Sequence, residues 1–322
     1  MDSRLAALEQ WLRARFPDAP FALAPASEDA SFRRYLRVSL ADGRRFIAMD
    51  APPDKEDCRP YLHVAAEFRA AGVHVPEIHA QDLDQGFLLL EDLGDATYLA
   101  RLTDASADGL YAAASEALVR IQAASRPGVL PEYDRGLLER ELRLFPDWYL
   151  ARERRIEPDA QDERMLQAVF DAILANNLAQ PRAFVHRDYH SRNLMVCEPL
   201  PGILDFQDAV HGPITYDLVS LFRDAYVQWD EERVLDWVVR YWEKARKAGL
   251  PVRGDFGEFY RDFEWMGVQR QIKVMGIFAR LCHRDGKRRY LEDIPRVLGY
   301  LRAACARYRE LAPLARLIER IA

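Results

Sequence analysis

Near the start of the chain, apolar residues fall at Leu5, Leu8, Leu12 and Phe16, a helical spacing that predicts an amphipathic helix closing before Pro17. The pattern then turns strand-like. Segments 35–40 and 44–49 flank Ala41-Asp42-Gly43, predicting a hairpin whose Asp-Gly pair supplies the turn. After a Pro-rich loop at 51–53, helical spacing returns over 61–71 and stops at Gly72. A second strand pair is expected at 77–81 and 86–90. Beyond Glu91-Asp92-Leu93-Gly94 the chain changes to long helical periods, most clearly 231–247 and 256–281, interrupted by brief β-like runs at 183–186, 193–197 and 202–206. The expectation is a bilobed α+β fold: residues 1–94 form a small β-rich lobe and residues 95–322 a large helical one.

Composition narrows the function classes. With 322 residues, 49% of them hydrophobic, the chain is long enough to bury a substantial core. A net charge of -6 lacks the basic footprint of a nucleic-acid binder. Charge interrupts every apolar run before it reaches membrane-spanning length, so a cytoplasmic protein without a membrane partner is expected. Cys58, Cys197, Cys282 and Cys305 are far apart and read as reduced thiols, and the seven histidines include no HExxH pair for zinc.

The informative stretch is FVHRDYHSRNLMVCEPLPGILDFQD, residues 184–208. His186-Arg187-Asp188 followed by Asn193 fits HRDxxxxN, and Leu204-Asp205-Phe206 follows where the metal-binding Asp of a phosphotransfer site is expected. Phosphoryl transfer needs one carboxylate to take the proton of an acceptor hydroxyl and oxygen ligands to hold Mg²⁺ against nucleotide phosphates. Asp188 is the candidate base, and Asn193 and Asp205 are the candidate metal ligands.

These residues resemble the aminoglycoside phosphotransferase and choline kinase-like family, distant relatives of protein kinases. The resemblance implies a protein-kinase-like fold, ATP as co-substrate, Mg²⁺, and the roles just given for Asp188, Asn193 and Asp205. The Asp217-Leu218 pair resembles the family's Asp-Leu after the metal loop, where a helix-start role is expected for Asp217.

On the nucleotide side the chain departs from kinase habit. The loop at 26–35 has no glycine, leaving Ser27, Ser31, Arg33 and Arg34 as candidate phosphate contacts. Met49 stands where the family usually presents a lysine. Lys55 is the lobe's one lysine. Segment 89–94 resembles the hinge, with Glu91 and Leu93 as backbone contacts to adenine.

For the acceptor, Tyr216 and Trp265 are candidate stacking rings, Arg270, Lys273 and Arg280 candidate cations with solvated helix edges as the plainer expectation, and Asp208, with Asp224, Asp230 and Glu231, an acidic candidate for a polycationic aminoglycoside. MDAPPDKEDC at 49–58 and QIKVMGIFARL at 271–281 resemble a bacterial branch that phosphorylates amino sugars, N-acetylmuramate and N-acetylglucosamine, at the anomeric hydroxyl. The resemblance implies cell-wall sugar recycling and makes the missing lysine normal for the branch. A kinase of aminoglycosides or choline-like amino alcohols and a nucleotide-binding pseudokinase are the competing readings.

Overall fold

The computed structural model describes residues 3–27 and 32–321. They fall into two compact units: residues up to Ala96 together with Met195–Asp208, and Thr97–Leu194 together with Ala209 onward.

In the first unit a five-stranded antiparallel sheet comprises β1 (Phe21–Ser27), β2 (Arg34–Leu40), β3 (Arg45–Asp50), β4 (Ile78–Asp82) and β5 (Phe87–Glu91), in the order β1-β2-β3-β5-β4. The 41–43 turn pairs β2 with β3 as the sequence predicts, whereas β1 carries Pro25 and had no clear strand pattern. Helix α1 (Ser3–Arg15) lays Leu8, Trp11 and Leu12 against Val38, Ala48, Phe87 and Leu89, forming the core on one face of the sheet. This burial contributes roughly 1.5–3 kcal/mol for each fully covered large apolar side chain. Gly86 (φ +72°) is required between β4 and β5, because a Cβ there would lie 1.9 Å from the Ala51 carbonyl oxygen. Helix α2 (Arg59–Ala70) completes the sequence-predicted elements of this unit.

Residues 195–208, expected with the helical part, belong to this first unit. Backbone bonds explain the return: Val196 N donates to Ala96 O at 2.7 Å and Ile203 N to His74 O at 2.8 Å. Gly202 allows the close fit, since a Cβ would meet Cys197 Sγ at 2.6 Å and Leu93 Cδ1 at 2.8 Å.

The second unit is helical: α3 (Tyr98–Arg101), α4 (Ala107–Ala123), α5 (Arg135–Leu144), α6 (Ala160–Leu178), α7 (Tyr216–Phe222), α8 (Glu231–Lys247), α9 (Phe256–Asp285), α10 (Ile294–Arg307) and α11 (Ala312–Ile321). A π-helical segment, Phe145–Glu153, continues α5, and strand Arg182–Val185 pairs antiparallel with Val210–Pro213. Helix α9 is the spine, starting at the Asp255 cap, whose side chain accepts from Glu258 N, and ending at left-handed Gly286. It is buried on all sides through its middle, including Gln269, Arg270, Gln271 and Lys273. The solvated edges expected for Arg270 and Lys273 are therefore corrected: neighbouring helices cover them. Gly276 makes one contact possible, because a Cβ there would come within 2.4 Å of the Leu144 backbone. No helix among the described residues is long and apolar enough to cross a membrane.

Candidate active site

Strand Arg182–Val185 delivers the chain to His186, and the loop that follows is tied down from several elements. Asp217, second residue of α7, accepts from His186 N at 2.6 Å and Arg187 N at 3.0 Å. Its helix-start placement is as expected, but its carboxylate braces the loop. Asp224 accepts from Ser191 N at 2.9 Å, and Tyr189 Oη donates to Ala114 O at 2.9 Å. Arg187 takes a left-handed backbone conformation (φ 77°), uncommon outside glycine and maintained by this bracing. Asn193 Nδ2 donates to Asp188 O at 3.0 Å, fixing the spacing between the two residues the motif singles out.

Beneath the loop lies Glu141 of α5, 5% exposed. It receives Arg187 Nη2 at 2.6 Å, Lys273 Nζ at 2.9 Å, Gln269 Nε2 at 3.2 Å and the Tyr133 hydroxyl. Lys273 also donates to Tyr216 Oη at 2.8 Å. Burial would raise the Glu141 carboxyl, but Lys273 and Arg187 outweigh it and hold the group below its ordinary value. The same balance acts on Asp188: burial pushes it up, while Lys273, His190, Arg270 and Arg187 together bring it below the usual carboxylate range. No hydrogen bond reaches the Asp188 carboxylate among the described residues, leaving an ionised acceptor in a cationic field. Asp217 is lifted by burial to about 7 despite its two amide bonds.

The candidate acceptor residues separate. Tyr216 and Lys273 adjoin Glu141. Trp265, 2% exposed, packs edge-on against Tyr308 with the Arg261 guanidinium over its ring, and makes no ring contact with the 186–193 loop among the described residues. Arg280 has Arg284 and Asp285 as its charged neighbours, near the end of α9. Arg270 lies in the field of Asp188 and His190. Sequence reasoning missed an aromatic wall beside the loop: His190 meets Tyr226 at 5.3 Å, Tyr226 meets Phe278 at 6.0 Å, and Phe278 meets Tyr290 at 5.3 Å. Arg192 lies 3.7 Å above the Tyr226 ring. The sequence gives these rings no common period, since they come from separate segments. Glu141 was equally invisible, one acid among many on a helix.

In the first unit, Asp205 also has left-handed backbone (φ 60°) and accepts from Gln207 Nε2 at 2.8 Å. Phe206 anchors it by packing on Tyr61 at 4.8 Å and Phe68 at 5.9 Å, both on α2. Asp208 is exposed. Met49, buried in β3, faces neighbours from β2 and β5 across the sheet. Arg34 pairs with Asp50, Nε to Oδ2 at 3.0 Å, and Arg33 with Glu56 at 3.2 Å. Lys55 is exposed beside Asp54. Ser27 ends β1, and Ser31 lies outside the described residues. Glu91 ends β5 with its carboxylate on His74 Nε2 (3.2 Å) and Glu77 N (3.1 Å), while Leu93 is buried. Arg37 fastens the following segment, bonding Asp92 at 2.8 Å and Gly94 O at 3.2 Å.

The donor set suits a hard divalent cation. Each by itself, Asp205 carries carboxylate oxygens and accepts from Gln207 Nε2, and Asn193 carries an amide oxygen while its nitrogen donates to Asp188 O, both oxygen types that such a cation takes. A cavity of about 320 Å³ is lined mainly by α4 and α8 residues including Asp108, Tyr111, Trp237 and Lys244, and none of the candidate residues lines it.

The chain is 51% identical to the N-acetylmuramate/N-acetylglucosamine kinase of Pseudomonas aeruginosa, over 98% of this chain and 96% of that one. It is 51% identical to the protein of that name from Neisseria meningitidis serogroup B, over 97% and 94%, and 34% identical to that of Caulobacter vibrioides, over 85% of each. Solved structures at low identity share the fold: choline kinase LicA from Streptococcus pneumoniae (TM-score 0.66, 12% identity, 94% of this chain and 100% of that one) and amicoumacin kinase hAmiN in complex with AMP-PNP, Ca²⁺ and Ami (0.58, 13%, 92% and 96%). A family profile described as "Phosphotransferase enzyme family" matches residues 22–254, a span that takes in nearly all of the sheet, the HRDxxxxN loop and Asp205. A braced HRDxxxxN loop, an α+β kinase-like architecture and that match together make the chain a member of the phosphotransferase enzyme family.

Proposed function

We propose that the chain transfers the γ-phosphoryl group of ATP to the anomeric hydroxyl of N-acetylmuramate and N-acetylglucosamine. The observation that carries the chemistry is the state of Asp188: ionised, bonded to no donor among the described residues, and held on a loop braced by Asp217 and Asp224. The acceptor class is supported by the names of relatives that are 51% identical over nearly the whole chain.

In this reading the acceptor hydroxyl gives its proton to Asp188 as its oxygen attacks the γ-phosphorus. The bond from that phosphorus to the β–γ bridging oxygen breaks, and ADP leaves with the electron pair. Asn193 and Asp205 are the residues that would hold Mg²⁺, through oxygen, and the cation would supply charge neutralisation at the phosphate oxygens. Main-chain groups of Glu91 and Leu93 receive the adenine edge. Ser27, Ser31, Arg33 and Arg34 remain the proposed phosphate contacts, although both arginines also serve protein carboxylates. The protein works in the cytoplasm, where ATP and recycled sugar are both supplied.

A polycationic aminoglycoside fits less well. Arg192 and Arg270 form no ion pair among the described residues, while nearby Asp224 is engaged by Ser191 N and Tyr226 N, and Glu231 by Arg223 and Tyr260. An acceptor screen with N-acetylmuramate, N-acetylglucosamine, an aminoglycoside and choline, read by ADP release and the position of the new phosphate, tests the reading. Magnesium-dependent turnover of the amino sugars is expected; nucleotide binding without turnover of any acceptor would make it a pseudokinase.

A further inference from the structure

Three cations on α9 were candidates for a substrate anion, and the fold gives them different circumstances. Lys273 is committed to Glu141 and Tyr216. Arg280 shares an unpartnered buried Nε but is only half-buried and sits among the charges of the helix end. Arg270 is only 5% exposed, its Nε is buried without a hydrogen-bond partner, and it forms no ion pair among the described residues. A guanidinium withdrawn from water and left without a paired anion is costly, so the arrangement is favourable chiefly when something supplies the missing charge.

Its position says what. At 3.6 residues per turn, Arg270 lies within about 80° of arc of both Lys273, which reaches the bracing carboxylate under the catalytic loop, and Phe278, which packs on Tyr226. Tyr226 in turn meets His190, two residues from the candidate base, whose buried Nδ1 is also unpartnered. Arg270 acts on Asp188 and Asp217; the first is required as a base and the second is occupied by two backbone amides. An anion is therefore wanted beside the aromatic wall, from outside the protein. Of the two sugars in the proposed function, one carries a carboxylate and the other does not.

We propose that Arg270 binds the carboxylate of N-acetylmuramate, with Tyr226 forming the neighbouring wall of the acceptor site, so that one residue separates the acidic from the neutral amino sugar. This rests on the amino-sugar reading given above. The test compares kcat/KM for N-acetylmuramate, its methyl ester and N-acetylglucosamine in the unmodified protein, Arg270→Gln and Arg270→Lys. Unmodified protein is expected to favour the acid over its ester by about tenfold or more, the scale of a charge-assisted bond. Arg270→Gln should abolish that preference, mainly through KM, and Arg270→Lys should restore part of it. Equal kcat/KM for acid and ester in the unmodified protein overturns the assignment without any substitution. So does an equal loss on all three acceptors in Arg270→Gln, which would assign the guanidinium to the transferred phosphoryl group. Turnover of neither sugar by the unmodified protein would instead overturn the amino-sugar reading itself.

Discussion

Asp50 in the first unit and Glu141 in the second are both buried carboxylates held between two cations, and the two arrangements do different things. In the first unit Asp50, fully buried at the end of β3, takes Arg4 Nε and Arg34 Nε at 3.0 Å each, but those arginine side chains stay 30% and 41% exposed. In the second, Glu141 takes Lys273 and Arg187, whose side chains are 8% and 20% exposed. Where the cations keep their water, the pair fastens α1 to the sheet and little more. Where they have lost it, they depend on the anion and their field reaches Asp188. The lesson concerns counting charges from a sequence: Arg34 and Lys273 both read as ligand cations, and both serve a protein carboxylate first.

The largest effect should follow Glu141→Ala, which strands two buried cations. A loss of about 3–5 kcal/mol is expected in urea or thermal unfolding, accompanied by a fall in kcat as Arg187 and the loop lose their anchor. Lys273→Met comes next, leaving Glu141 short of one partner at about 1–3 kcal/mol. Because Lys273 is the strongest influence lowering Asp188 against its burial, the acid limb of kcat/KM should move to higher pH. An unmoved limb would separate the buried network from the base.

Asp217 should reveal itself through pH. Its folded value of about 7 lies above the ordinary 3.8, so the native state retains a proton the unfolded chain has released. Its contribution to stability should therefore fall as pH rises from about 4 to about 7 and level off above that. Asp217→Asn should flatten this stretch of the stability-versus-pH curve, measured by denaturant midpoints, while weakening the brace at His186 and Arg187. The smallest effect belongs to Asp50→Asn, about 1 kcal/mol or less by the same unfolding measurement, since the freed arginines can be hydrated. A loss as large as that of Glu141→Ala would erase the distinction between the two carboxylates.

Most of the architecture was legible in the sequence because it rests on local pattern. The hairpin around Asp42-Gly43, helix α2 and helices α8 and α9 follow from periodicity and turn chemistry. Strand β1, with Pro25 and little alternation, forms because β2 offers it a ladder. The placement of residues 195–208 was hidden for the same reason: it depends on pairing with His74 and Ala96, more than 90 residues away in sequence. Asp188, Asn193 and Asp205 were proposed from spacing. Glu141, Tyr226 and the distinction between Arg270 and Lys273 were not, because each depends on which distant residue arrives beside it.

The central claim is that Asp188 accepts the acceptor's proton, and single-turnover kinetics of Asp188→Asn with ATP and N-acetylglucosamine test it most directly. The phosphoryl-transfer rate should drop by about 10² to 10⁴ while nucleotide affinity and the unfolding midpoint change little. A folded Asp188→Asn protein that transfers phosphate at close to the unmodified rate would contradict the account.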